Sequence, residues 1–317
     1  MIWLGWRQQR TETLIAAGLL VLLASLVVPT GLEMASAYHH DGLSACLGVQ
    51  TSQSCQEAIG AFSTRFEPLS NLLAWVTIVP GLLGVLLAAP FLLELENGTY
   101  RLAWTQSITR ARWIAVKLGL AIGGATLVAT VLTVMMTWWR APFAHLQGRM
   151  DSAVFDSEGT VVVSYTLFAL GLALVVGVVW RRAVPALVVA FAGYMVGRIF
   201  VDTWLRQRLI SPLSAIWPIT EPRPASLNHA WILTESPSDR FGNRPPPALE
   251  GCVRSIGGTK RLIDPQCLAR HGGGFTHAIY EPASRFWAFQ GIETALFAGT
   301  AIVLIAAAAW WTHRRTA

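Results

Sequence analysis

The residues able to do chemistry crowd into one stretch, 94–113, which reads ELENGTYRLAWTQSITRARW. Glu94 and Glu96 open it, Arg101 follows, Thr105 and Gln106 sit together, and Arg110 and Arg112 close it. Carboxylates, guanidinium groups and a hydroxyl at these spacings make ion pairs and charge-assisted hydrogen bonds. Their chemistry is docking, not bond making. A catalytic site would need a nucleophile beside a base, an HExxH pair or a phosphate-cradling glycine loop. The spans offer no such pair, and GGTK at 257–260 lacks both the leading glycine and the following hydroxyl of a Walker A loop. An enzyme is therefore not expected.

Other polar residues invite a role. Arg198 and Asp202 are four apart, the spacing at which a helix pairs opposite charges; substrate contact is the costlier alternative. Arg285 precedes Glu293, a carboxylate early in an apolar run that must find a partner or water. An ion pair between the two and a place lining a pathway stand open together. His39, His40 and Asp41 are read as surface residues, since two adjacent histidines and one carboxylate fall short of a metal site. Neither a metal nor a cofactor is expected on this chain.

The frame that positions these residues is a membrane bundle. With 53% hydrophobic and 13% charged residues and a mean hydropathy of +0.48, the chain has the profile of a polytopic membrane protein. Six runs are long enough to cross about 30 Å of hydrocarbon as helices: 13–32, 71–93, 113–138, 160–180, 183–201 and 289–311. They are continuous rather than alternating, which favours helices over a barrel, and the expected fold class is all-α. The first run ends in VVPTGLEMAS, with a proline where small residues would flag cleavage, so it reads as a retained span.

Orientation follows from the basic residues of the short segments. Arg7 and Arg10, then Arg101, Arg110, Arg112 and Lys117, then Arg181 and Arg182, then Arg314 and Arg315 share one side if six spans alternate. By the positive-inside rule that side is the cytoplasm of a multi-pass cell-membrane protein, both termini included. The net charge of +6 follows from these anchors and a basic outer loop, without a nucleic-acid partner. Cys46, Cys55, Cys252 and Cys267 all fall outside under this topology. An oxidising compartment allows Cys46 to pair with Cys55 and Cys252 with Cys267; free thiols are the alternative.

The expected organisation has spans one to five in 1–203, with an outer loop at 33–70 and a cytoplasmic segment at 94–112. A Pro/Gly-rich extracellular region follows at 204–288, then the last span and tail at 289–317. The outer loop carries a short helix around SCQEAIGAFSTRF, whose Ala58, Ile59, Phe62 and Phe66 recur at helical spacing. The 204–288 region, crowded with EPRPAS, NRPPPALEG and RHGGGF, reads as loops and short elements, its cysteine pair a staple. Two-residue spacing in WRRAVP makes spans four and five adjacent antiparallel helices. Gly193 with Gly197, and Gly119 with Gly123, are GxxxG pairs suited to close packing. The 94–112 segment suits an interfacial helix broken at Asn97 and Gly98, a solvated connector being the bland alternative.

The pattern Glu94, Glu96, Gly98, Thr99, then Thr105, Gln106, then Arg110 and Lys117 resembles the segment after the second span of ABC-2-type permeases. The tail YEPASRFWAFQGIE, followed by a span ending WWTHRR, resembles the end of six-span permeases of this kind from high-GC Gram-positive bacteria. The resemblance implies the membrane subunit of an ATP-driven exporter. In it Glu94, Glu96, Arg101, Thr105, Gln106, Arg110 and Arg112 form a coupling helix that docks into a separate ATPase. It further implies two ATPase copies binding ATP and Mg, a second permease subunit as a homodimer, and export. Apolar, aromatic walls favour a hydrophobic or amphipathic cargo: an antibiotic, peptide or lipid. The chain departs from the family in its long loop between spans five and six. A membrane-anchored receptor or accessory protein displaying that loop is the alternative class.

Overall fold

The computed structural model describes residues 2–43, 46, 53–100, 109–243, 252–256, 260–263, 265–270 and 274–315. The centre of the expected coupling helix, with Arg101, Thr105 and Gln106, lies outside them. Two compact units divide the chain: Met1–Leu146, Ser152–Leu205 and Ala288–Ala317 in one, Gln147–Asp151 and Arg206–Trp287 in the other.

The first unit is helical. Its elements are α1 (Ile2–His40), α2 (Gln53–Ala74), α3 (Val79–Glu96), α4 (Arg110–Gln147), the single turn α5 (Ser152–Phe155), α6 (Val161–Trp180) and α7 (Ala183–Phe200). Among the described residues six stretches are long and apolar enough to cross a membrane: Leu14–His40, Trp75–Glu96, Arg110–Ala144, Val161–Trp180, Ala183–Leu209 and Ala283–Arg314. These match the expected spans in number and place, and most run longer. A charge such as Arg140 ends an apolar window, but the backbone ladder continues through it. The second span starts later than expected, because α2 runs on to Ala74 and a 3-10 turn, Trp75–Ile78, intervenes. Pro80 sits in the first turn of α3, where its missing N–H leaves no helical bond unmade.

Burial identifies the centre of the bundle. The most apolar windows of spans two and four are 67% and 72% buried, against 17% to 33% for the other four. Lipid supplies no hydrophobic drive between helices, so such contacts rest on close van der Waals packing and small residues. At Gly84 of α3 a Cβ would stand 2.2 Å from the backbone oxygen of Thr166 on α6, and at Gly177 of α6 it would meet the Leu92 side chain at 2.2 Å. At Gly84 the obstacle is backbone, which cannot step aside; at Gly177 the Leu92 side chain would have to turn away. On α7, Gly193 and Gly197 face Leu172 and Phe168 of α6, from which an added Cβ would stand 3.7 and 3.4 Å, in keeping with adjacent antiparallel helices. A Cβ at Gly119 or Gly123 would meet nothing within 4 Å among the described residues, so neither glycine is required there by close packing. Helix α2 is longer than the expected outer-loop helix; it buries Phe62 and Phe66, the first against Phe143 with ring centroids 5.4 Å apart.

The chain is mostly helical, as expected, but the second unit, read as loops and short elements, adds strands. After α8 (Arg206–Leu209) come β1 (Leu213–Pro218), β2 (Trp231–Ser238), β3 (Val253–Ile256), β4 (Lys260–Ile263), the one-turn α9 (Pro265–Arg270) and β5 (Phe275–Glu281). Helix α10 (Phe286–Arg315) then begins and forms the last span. Strand β5 lies between β1 and β2, antiparallel to both, and β3 pairs with β4. Trp217, Leu227, Ala278 and Tyr280 form a small core. The sheet escapes a local reading because Leu213 pairs with Tyr280 across the whole region, and because Pro237 sits in the edge strand β2, where a missing donor is tolerated. Both expected disulfides are present, Cys46–Cys55 and Cys252–Cys267, each with Cα atoms 5.6 Å apart.

Candidate functional site

Polar side chains buried in the helical unit gather at its two ends. At the far end, where α3 begins and α7 finishes, the link from α4 to α6 turns back into the bundle through α5. Gln290 of α10, fully buried, sets its course. Its side-chain oxygen accepts the amide N–H groups of Thr160 (3.1 Å) and Val161 (3.2 Å), two of the orphan donors at the start of α6. Its Nε2 donates to the carbonyls of Phe155 (3.0 Å) and Glu158 (3.2 Å). Gly159 carries the turn at φ +71°, and a Cβ there would stand 2.5 Å from Gln290 Oε1. One amide thus organises the link.

That course aims Asp156 inward. Arg198 of α7 pairs with the Asp156 carboxylate, donates from Nη1 to the Thr77 carbonyl (2.6 Å), and lies over the Tyr165 ring at 4.8 Å. The Tyr165 hydroxyl sits between Asp156 (3.1 Å) and Glu293. Tyr165 and Glu293 are fully buried and Asp156 is 3% exposed, so these groups are held by one another rather than by solvent. Taking such charges out of water is costly, and the cost is met only where several partners converge. Here spans two, four, five and six all contribute.

The expected pair of Arg198 with Asp202 does not form. A π turn, Val201–Leu205, begins just after Arg198 and breaks the register that would stack the two residues. Asp202 instead accepts the Ser152 hydroxyl at 2.5 Å, so Ser152 and Asp156 of the link meet Asp202 and Arg198 in reverse order. Arg285 and Glu293 likewise have other partners. Arg285 donates to Glu281 (2.8 Å) and to the Ser211 carbonyl (2.9 Å), while Glu293 takes Tyr165. Asp156, Tyr165 and Gln290 were missed in sequence. Their only signal is polarity beside or within apolar runs, sharpest for Gln290, Glu293 and Thr294 on one helical face.

At the near end, where α3 finishes and α7 begins, the two carboxylates of the opening stretch find separate anchors. Glu94 pairs with Lys117 of α4, whose side chain is 5% exposed. Glu96 accepts the Ala183 N–H of α7 at 2.8 Å, a carboxylate at the positive end of a helix. The preceding turn is tight: Arg181 closes α6 in the left-handed conformation, φ 55°, with its N–H on Gly177, and Arg182 is extended. Arg110 and Arg112 open α4, a first turn without acidic residues. Cations oppose the helix dipole there, so they do not serve the helix. Glu94 and Glu96 thus fasten the start of the segment to α4 and α7 within the bundle.

The model of the ABC-2 membrane transporter related family matches residues 17–206, the first five spans. No curated protein and no solved structure matches the chain.

Proposed function

The chain belongs to the ABC-2 membrane transporter related family, and from that premise we propose that it is the permease subunit of an ATP-driven exporter, worked by a separate ATPase. The observation that carries the reading is the anchoring of the 94–112 segment where it leaves the bundle: Glu94 on α4 and Glu96 on α7. A segment so held passes an imposed movement to the spans instead of flexing alone. Arg110 and Arg112, at the other end of the segment, present charge to acidic groups of the ATPase.

In this reading ATP and Mg bind the ATPase, two copies of which serve two permease subunits, and both termini face the cytoplasm. The cargo is hydrophobic or amphipathic, in keeping with apolar spans. The test is ATP-dependent transport in vesicles holding the chain and its ATPase. Charge reversal at Arg110 should leave ATP hydrolysis intact and abolish transport; full transport in that variant removes the coupling role.

One observation favours a second reading, a receptor or accessory protein. The region between spans five and six builds its own sheet, core and disulfide. An ATPase that co-purifies in mild detergent and turns over faster with this chain present decides for the permease.

A further inference from the structure

The near and far contacts of α7 fall on the same neighbour, the second span. At the near end Glu96, the last residue of α3, accepts the first amide of α7. At the far end Arg198 and Tyr194 of α7 both donate to the Thr77 carbonyl, just before α3 begins, at 2.6 and 3.4 Å. Tyr194 reaches it because Gly81 has no side chain: a Cβ there would stand 2.3 Å from the tyrosine ring.

A single attachment lets two helices scissor about it. Two attachments separated by the fifteen residues from Ala183 to Arg198, about 22 Å of helix rise, fix both tilt and register. Beyond the far clamp, α7 holds the α4–α6 link through Arg198 to Asp156, and Asp202 takes the Ser152 hydroxyl. We propose that spans two and five move as one body, and that Glu96 is the positioning residue through which the 94–112 segment drives span five and, through it, the 152–160 link. The part concerning a driving stroke rests on the permease reading; the clamp does not.

The four native cysteines are in disulfides, so spin labels attach only to introduced cysteines. Pairs placed on exposed residues report each clamp: Leu93→Cys with Val184→Cys near Glu96, and Leu82→Cys with Val196→Cys near Arg198. In the full chain in nanodiscs both pairs should give single narrow distance distributions. Glu96→Ala should broaden the Leu93–Val184 distribution at least twofold and leave the other pair narrow. It should also speed hydrogen exchange in the 152–160 link by tenfold or more. Glu96→Gln keeps an acceptor for the Ala183 amide and should stay close to the parent in both readouts. An unchanged Leu93–Val184 distribution in Glu96→Ala overturns the clamp, and unchanged exchange in the link overturns transmission through span five.

With an ATPase bound, nucleotide should alter the distance from Val184 to an exposed label on α4, Leu127→Cys, and not the Leu93–Val184 distance. A nucleotide-driven change in the latter also defeats the proposal. If nucleotide moves no pair while the variant results hold, the clamp stands and the permease reading falls.

Discussion

Arg198 pairs with Asp156, although Asp202 lies only four residues along its own helix. Breaking a buried pair leaves an uncompensated charge, which costs about 3–5 kcal/mol. Arg198→Ala should therefore lower thermal stability in detergent far more than Asp202→Asn, which loses one acceptor for Ser152. The double variant Arg198→Ala with Asp156→Ala should recover part of the loss. Additive losses in a thermal unfolding series would show that the two do not act as a pair.

The link that carries Asp156 depends on one glycine and one amide. Gly159→Ala forces a side chain into the left-handed region, at about 1–3 kcal/mol, and drives its Cβ against Gln290. Gln290→Leu removes bonds to both flanks of the same turn. Each variant should raise hydrogen exchange across 155–161 while the start of α3 stays protected. Equal loosening of both regions would mean that the amide supports the whole bundle and not the turn.

Two glycines in neighbouring spans should respond oppositely to a methyl group. Gly84→Ala meets the Thr166 backbone, which cannot step aside, and overpacking of this kind costs about 1–3 kcal/mol or more. Gly119→Ala enters open space within a helix, where alanine is favoured over glycine by about 1 kcal/mol, and should raise stability. Melting temperatures of the two purified variants make the comparison.

Asp239 controls a turn in the second unit. Its carboxylate accepts the Asn243 N–H at 2.9 Å and the Phe241 N–H at 2.8 Å. These bonds, the Asn243 amide foremost, hold its pKa below the ordinary value. A depressed folded pKa means a contribution present above the unfolded pKa, about 3.9, and lost as pH falls through the folded value. Protection of the Phe241 and Asn243 amides, taken relative to the intrinsic exchange rate at each pH, should be higher at pH 6 than in acid; Asp239→Asn should remove that pH dependence.

How far the residues themselves disclosed this structure depends on the range of each interaction. Disulfides across nine and fifteen residues closed loops that the sequence already brought together. The ion pair expected between Arg198 and Asp202 was equally local and failed, because a π turn altered the register between them. Glu96 and Ala183, 87 residues apart, carry no mutual signal, and neither do the strands joined at Leu213 and Tyr280. Among the residues assigned to the coupling helix, Glu94 and Glu96 proved to be fastened to α4 and α7.

Six membrane-length apolar helices and the polar stretch after the second were legible in composition over windows of about 20 residues, since a helix in lipid must satisfy its own backbone. Which charge met which was decided only by the tertiary structure. Inside a bundle each buried ionic group takes the partner that packing delivers, at whatever distance along the chain, and the helices that deliver it are chosen by contacts as specific as Gly84 against Thr166.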